Sequence, residues 1–214
     1  MLAADPAPRA ASLSLRRARR RTWGRLVRTT IRRIATTAPH RVEDRFLYEI
    51  ISTVASSLNL EEVLNAVVRL LSDASAVHAC FVYLLEHDER LLVLRAASEP
   101  YAHLVGTVEL ADGEGIAWWA LEHREPVFIR ENAVADPRFK YVPELEEERF
   151  QSFVSVPLVG REDPIGAISL HSEAPREFTR SEVEFLISSA QLVAGAIENA
   201  RTTRCASACG SSSS

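Results

Sequence analysis

Lysine is nearly missing from this chain: Lys140 is the sole lysine, and every other basic side chain is arginine. A Gly-rich phosphate cradle closed by Lys is therefore excluded, and no Gly-x-Ser-x-Gly turn or HExxH helix appears either. The arginine bias reflects a GC-rich coding preference more simply than a demand for guanidinium chemistry. Cysteine is scarce as well. Cys80 stands in an apolar run, which fits a buried, inert thiol, and Cys205 and Cys209 fall in the tail CASACGSSSS. With so few thiols and no His or Cys pair at ligand spacing, neither a disulfide framework nor a zinc site is supported, and a reducing cytosol is the expected compartment. No uninterrupted apolar run reaches the ~18 residues that span a bilayer as a helix. Asp112-Gly-Glu114-Gly is a turn rather than a metal cage, because no second acidic loop supplies oxygen ligands. These absences leave no cofactor to expect and little support for catalysis.

What is present is an ordinary globular balance, 47% hydrophobic and 25% charged over 214 residues. At roughly 150 residues per domain this is one domain with appendages. Charge divides the chain. Residues 1–45 carry 12 arginines against three acids, a net +9, so the remainder carries −13 of the total −4. An acidic body repels phosphate, which excludes nucleic acid binding by the main domain. Within the basic arm, Trp23, Leu26, Val27, Ile31 and Ile34 recur at helical spacing between arginines. Such a stripe can lie on an anionic membrane or grip a partner, but a solvated tail is the first expectation, with membrane contact ranked behind it.

Periodicity predicts helices over Phe46–Leu58 and Leu60–Ser72, the second with Asn59 as N-cap and Glu61 and Glu62 in its first turn. Strands follow at Ala79–Glu86, Leu91–Ser98 and Gly106–Leu110. Gly113 and Gly115 allow a left-handed turn ahead of a short helix, Ile116–His123. A strand at Pro126–Arg130, a loop at Asn132–Tyr141 and an acidic helix at Pro143–Phe150 come next. Strands Phe153–Val159 and Ile165–His171 then lead to a long helix behind a Thr179/Glu182 capping box. Strands in the middle and long helices at both ends predict an α+β fold. Its antiparallel sheet of five to six strands carries terminal helices on one face, and short helices and loops form a pocket on the other.

Six segments in this order and spacing, LNLEEVLNAVVRLL, FVYLLEHDERLLVLRAAS, GEGIAWWALEHREPVFIRE, DPRF, SVPLVGREDPIGAISLHSE and FTRSEVEFL, resemble a GAF domain over residues 46–200. GAF and PAS-like domains are small-molecule sensing modules. The phrase DPRFKYVPELEEERFQSFVSVPL is similar to the GAF module at the head of nitrogen-type phosphotransferase-system enzyme I, whose phosphorylated-His and phosphoenolpyruvate domains have no counterpart in this sequence. The resemblance thus implies the sensing module and not that enzyme's activity. It divides the chain into an arm (1–45), a GAF domain (46–203) and a disordered tail (204–214).

Departures from the family's patterns narrow the ligand. The Asn-Lys pair of cyclic-nucleotide-binding relatives is replaced by Leu170-His171-Ser172-Glu173 ahead of Phe178 and Glu182. No Cys lies between Cys80 and Cys205 to hold a bilin, and no His lies in 132–151 to ligate heme. Cys80 has no resolving partner, as sulfoxide-reducing relatives require. The resemblance implies a pocket lined or closed by Gly115, Trp118, Trp119, Asp136, Phe139, Tyr141, Arg149, Phe153 and Ser155. Arg149 would hold a carboxylate or phosphate in a fork, and Trp119 or Phe139 would cover an apolar part. Each has a plainer reading: core aromatics, a turn cap at Asp136, and an Arg149–Glu146 pair on one helix. His171 reads as a structural residue.

The expected function is a bacterial, cytoplasmic regulatory module that binds an unidentified small molecule. Ordering of 132–151 would bias the terminal helices in a homodimer or against a signalling partner in trans. A ligand-free scaffold for dimerisation or docking is the second expectation, and a thiol redox enzyme through Cys80 the third. The sequence stops where many relatives attach an output domain, so it reads either as a protein signalling in trans or as a truncated or frameshifted fragment.

Overall fold

The structure, a computed structural model, describes residues 42–210 apart from 57, 58, 87 and 162, with the side chains of 42–44, 53–56 and 201–210 also left aside. The arm's amphipathic stripe and Leu58 lie outside the described residues. Two helices come first, α1 (Val42–Ser56) and α2 (Leu60–Ser75). The Asn59 cap forms as expected: its side-chain oxygen accepts from the Glu61 N–H at 3.0 Å. Strands β1 (Ala79–Glu86), β2 (Leu91–Ala97) and the short β3 (Glu109–Leu110) precede α3 (Gly115–His123). Then come β4 (Val127–Ile129), β5 (Ser152–Val159), β6 (Pro164–Ser172) and α4 (Arg180–Gly210).

The six strands form one antiparallel sheet in the order β3-β2-β1-β6-β5-β4. Alternation along β1 separates two cores. Cys80, Val82 and Leu84 face α1, α2 and α4, while Phe81, Tyr83 and Leu85 face α3 and the loops. Strands buried on both sides read as continuous apolar runs, as ACFVYLLE does. The capping box also forms: the Thr179 N–H donates to Glu182 at 2.7 Å, and the Glu182 N–H donates to the Thr179 hydroxyl at 3.3 Å.

Three expectations are corrected. The helix over Pro143–Phe150 is instead two 3₁₀ turns, Pro143–Leu145 and Glu147–Arg149, broken at Glu146 with φ +47°. At about 100° per residue an α-helix sets positions 145 and 147 about 200° apart. Leu145 and Glu147 are both buried, which one helix face cannot accomplish. The strand expected over Gly106–Leu110 shortens to Glu109–Leu110. Gly106, at φ +82°, donates to the Leu94 carbonyl at 2.8 Å and starts a kink that re-enters the ladder beyond Thr107. The final helix runs to Gly210, past residue 203, because Ala- and Arg-containing sequence continues without a breaker until that glycine.

At the centre of the sheet, Gly166 pairs with Leu84. A Cβ there would meet the Tyr83 carbonyl oxygen at 2.0 Å, and backbone cannot swing aside as a side chain can. Gly166→Ala is expected to lower the unfolding free energy by more than about 2 kcal/mol, measured by urea denaturation. An unchanged midpoint would show that the β1–β6 pairing tolerates the methyl.

Candidate functional site

On the face of the sheet away from the long helices, a cavity of about 20 Å³ lies between the strands, α3 and the strap formed by residues 132–151. Its floor is Tyr83 of β1, Phe153 and Ser155 of β5, and Ser169 and His171 of β6. Register explains the grouping: Phe153 stands opposite His171, and Ser155 opposite Ser169, so all four share one face. The start of α3 forms one wall with Gly115, Ile116 and Ala117, and Leu110 lies beside it. Gly115 sits at φ +82°, in the left-handed turn expected of it. Phe139, Lys140 and Glu147 of the strap close the top.

The polar groups of this cavity are kept neutral by burial. Glu147 is 6% exposed, and its carboxylate accepts the Val142 N–H at 3.1 Å. Burial pushes the carboxyl up to about 8 against the lowering effect of that hydrogen bond, with Glu148 adding to the rise. His171 is 3% exposed, and burial drives its imidazole down to about 3. The ring stacks on Phe153 at 3.8 Å and meets Phe81 and Phe150 edge-on, while its Nδ1 is buried without a partner. Tyr83 is raised by burial and then by the Glu147 charge. The Ser155 and Ser169 hydroxyls bond each other at 2.9 Å.

Ion pairs hold the strap from outside. Lys140 Nζ reaches Glu114 at 2.7 Å, fixing the strap to the turn before α3. Asp136 grips the Arg138 guanidinium with both carboxylate oxygens, at 2.8 and 2.7 Å, and that pairing holds its carboxyl below the usual range. Arg138 in turn lies over the Trp119 ring at 4.8 Å, and Trp119 stacks on His123.

The structure therefore distributes the nine residues expected at the pocket. Gly115, Phe139, Phe153 and Ser155 line the cavity. Trp118 is buried in the core beside it, and Trp119 and Asp136 belong to the outer clasp. Tyr141 is 48% exposed and points outward. Arg149, expected to fork a ligand anion, bonds Glu146 at 3.0 Å and Glu173 at 2.7 Å on the surface, outside the cavity lining. The lining residues that sequence reasoning left out of the pocket are Tyr83, Leu110, Ile116, Ala117, Lys140, Glu147, Ser169 and His171, the last read there as structural. Alternation from Phe153 and Ser155 across to the paired strand could have pointed to Ser169 and His171. Glu147 was concealed in a run of glutamates resembling a solvated helix face.

Cys80 lies on the opposite, helix-packed face, fully buried, and burial pushes its thiol far above the range in which a thiolate forms. Among the described residues no helix is long and apolar enough to cross a membrane, and no three His, Cys, Asp or Glu side chains converge as a metal site.

Opposing proton linkages follow from this arrangement. Glu147 binds its proton more tightly folded than unfolded, so its contribution to stability falls as pH rises from about 4.5 to about 8. His171 binds its proton less tightly folded, so its contribution rises with pH from about 3 to about 6.5. The two offset each other between about pH 4.5 and 6.5. Above that window Glu147 acts alone, and stability should fall by on the order of 1 kcal/mol per pH unit toward pH 8. Urea midpoints of wild type and Glu147→Gln across this range provide the check: the variant should lack the slope. A slope of equal size in the variant would assign it elsewhere.

Comparison with known proteins is consistent along the chain. Residues 57–198 match the sequence model of the GAF domain. A phosphoenolpyruvate-dependent phosphotransferase system protein of Salmonella typhimurium is 34% identical over 160 residues, covering 73% of this chain and 21% of that protein. A Nif-specific regulatory protein of Azospirillum brasilense is 29% identical over 162 residues, covering 73% and 26%. The chain thus matches about a fifth to a quarter of the length of these curated relatives. The solved GAF domain of a phosphoenolpyruvate-protein phosphotransferase from Coxiella burnetii superposes with a TM-score of 0.71 at 27% identity, covering 76% of this chain and 96% of that one.

Proposed function

Because this chain belongs to the GAF domain family, whose matched members include regulatory proteins, we propose that it is a non-catalytic sensory module that binds a small molecule beneath the 132–151 strap. The observation that carries the reading is the polar interior of the second core. An apolar lining would serve stability better than a buried carboxyl and an imidazole nitrogen without a partner, since an unpaired buried polar group costs about 1–3 kcal/mol. At about 20 Å³ the cavity holds little more than a water. A larger ligand therefore has to displace the strap. The strap's 3₁₀ turns and its surface ion pair to Glu114 are weak enough to yield.

The same small volume favours the second reading, a ligand-free docking scaffold, and one experiment separates them. Thermal melting of the full chain is measured against a panel of amino acids, 2-oxoacids, nucleotides and simple amines. A ligand at 100 times its dissociation constant adds about 2.7 kcal/mol, a shift of several degrees for a domain of this size. A shift is the expected result. Silence from a folded protein would sink the sensing function and leave the scaffold.

Output is proposed to pass through the terminal helices of a homodimer, with a partner signalling protein acting in trans. Supporting this, Tyr48 and Ile51 on α1 are 71% and 45% exposed, a large apolar surface on a helix whose other side packs against α2 and α4. Sedimentation of the full chain should show a dimer, and Tyr48→Glu with Ile51→Glu should shift it to monomer. A monomeric wild type would refute the dimer.

A further inference from the structure

The cavity's acceptors and rings specify a ligand chemistry, an inference that rests on the sensing function above. Glu147, 6% exposed, is part of the cavity lining, and its carboxylate accepts the Val142 N–H. His171 brings a buried Nδ1 without a partner. Ser155 and Ser169 satisfy one another with one hydrogen bond, which leaves hydroxyl lone pairs unused. Tyr83, Phe139 and Phe153 surround these groups with aromatic rings. No cationic head completes the lining: the Lys140 ammonium is held by Glu114, and Arg149 is paired with Glu146 and Glu173 outside. An anion entering here would find the ammonium of the lining, that of Lys140, already paired with Glu114. An ammonium group brings a positive charge and several N–H donors, and fits a carboxylate, an imidazole nitrogen, hydroxyl oxygens and aromatic faces together.

We propose that this cavity seats the ammonium group of a small amine, with Glu147 as its counter-charge and the rest of the ligand emerging beneath the strap at Phe139 and Lys140. The cavity's volume, close to that of one water, matches an –NH₃⁺ head rather than a bulkier cation.

Binding is then coupled to a proton. Burial holds Glu147 protonated up to about pH 8, so the incoming cation must displace that proton. The charged and titratable groups around it are Tyr83 on β1, His171 on β6, and Lys140, Tyr141 and Glu148 on the strap; the α3 wall contributes Gly115, Ile116 and Ala117, none of which titrates. Tyr83 and Tyr141 are raised above their ordinary value and His171 lies at about 3, so none of the three changes charge between pH 6 and 9. Affinity for a cation should therefore rise with the ionised fraction of Glu147, about tenfold per unit below pH 8 and up to roughly 90-fold from pH 6 to pH 9.

The test is an NMR titration of the full chain with ¹³C-methylammonium at constant ionic strength, at both pH values. Binding that strengthens toward pH 9, is lost in Glu147→Gln and persists in Arg149→Ala is the expected result. Methylammonium that binds no better than sodium, or equally at both pH values, overturns the proposal; the wild-type pH comparison stands even where the Gln variant fails to fold. A neutral or anionic hit in the thermal panel, with methylammonium silent, removes the amine and keeps the sensing function. Silence in both removes both.

Discussion

Every feature of this domain is hung on the pairing of β1 with β6. These strands sit at the middle of the sheet, buried on both faces, and they meet so closely at Gly166 that no side chain fits between that residue and the Tyr83 carbonyl. A slip of one residue would exchange the faces of the strand. Cys80, Val82 and Leu84 would then turn toward the cavity, and Tyr83 toward the helices. The register is thus at once the condition for packing α1, α2 and α4 and the condition for assembling the polar cavity. Glycine at 166 enforces it by being the one residue that allows the approach.

The second core is where local rules of stability are relaxed. Its counterpart beneath the helices is aliphatic almost throughout. The cavity side instead buries a carboxyl and an imidazole, and both give up their charge to remain there. Rings offset part of that cost: His171 is stacked on Phe153 and flanked edge-on by Phe81 and Phe150, so its carbon atoms are packed even though one nitrogen is not bonded. Sites where sequence and stability disagree in this way are where function is expected to reside.

Much of the fold was legible because long-range and local signals agreed. ACFVYLLE read as a central strand, Asn59 and the Thr179/Glu182 box marked helix starts, and the GAF resemblance joined them in order. The strap was not legible. Glu144, Glu146, Glu147 and Glu148 look like the solvated start of one acidic helix in sequence, yet Glu147 alone of the four is buried, and the helix is broken at Glu146. The candidate site was legible in halves for the same reason. Gly115, Phe139, Phe153 and Ser155 follow from the resemblance, whereas Ser169, and a place in the cavity for His171, become visible only through strand register, a property of pairing rather than of any single segment. Arg149 shows the converse: its charge drew attention in sequence, and two surface carboxylates account for it in the structure.

The two cores share four strands, β1, β2, β5 and β6, and this restricts how a change at the cavity could reach the terminal helices. Adjacent residues face opposite ways: Tyr83 to the cavity with Val82 and Leu84 to the helices, His171 to the cavity with Leu170 to the helices. A close-packed interior transmits displacement instead of absorbing it. Yet the central strands, fixed by ladders on both sides, are the stiffest elements available, so a rotation within them is the costliest route. The edges are softer. The strap joins β4 to β5, and beyond β6 Arg176 donates to the Arg130 carbonyl through its N–H at 2.9 Å, with its guanidinium reaching Ser75 at the end of α2 and Glu182 in the first turn of α4. Motion of the strap therefore meets the ends of two long helices through Arg176, around the sheet and not through it. In any switch built on this fold, that arginine is a contact that displacement of the sheet's edge would disturb.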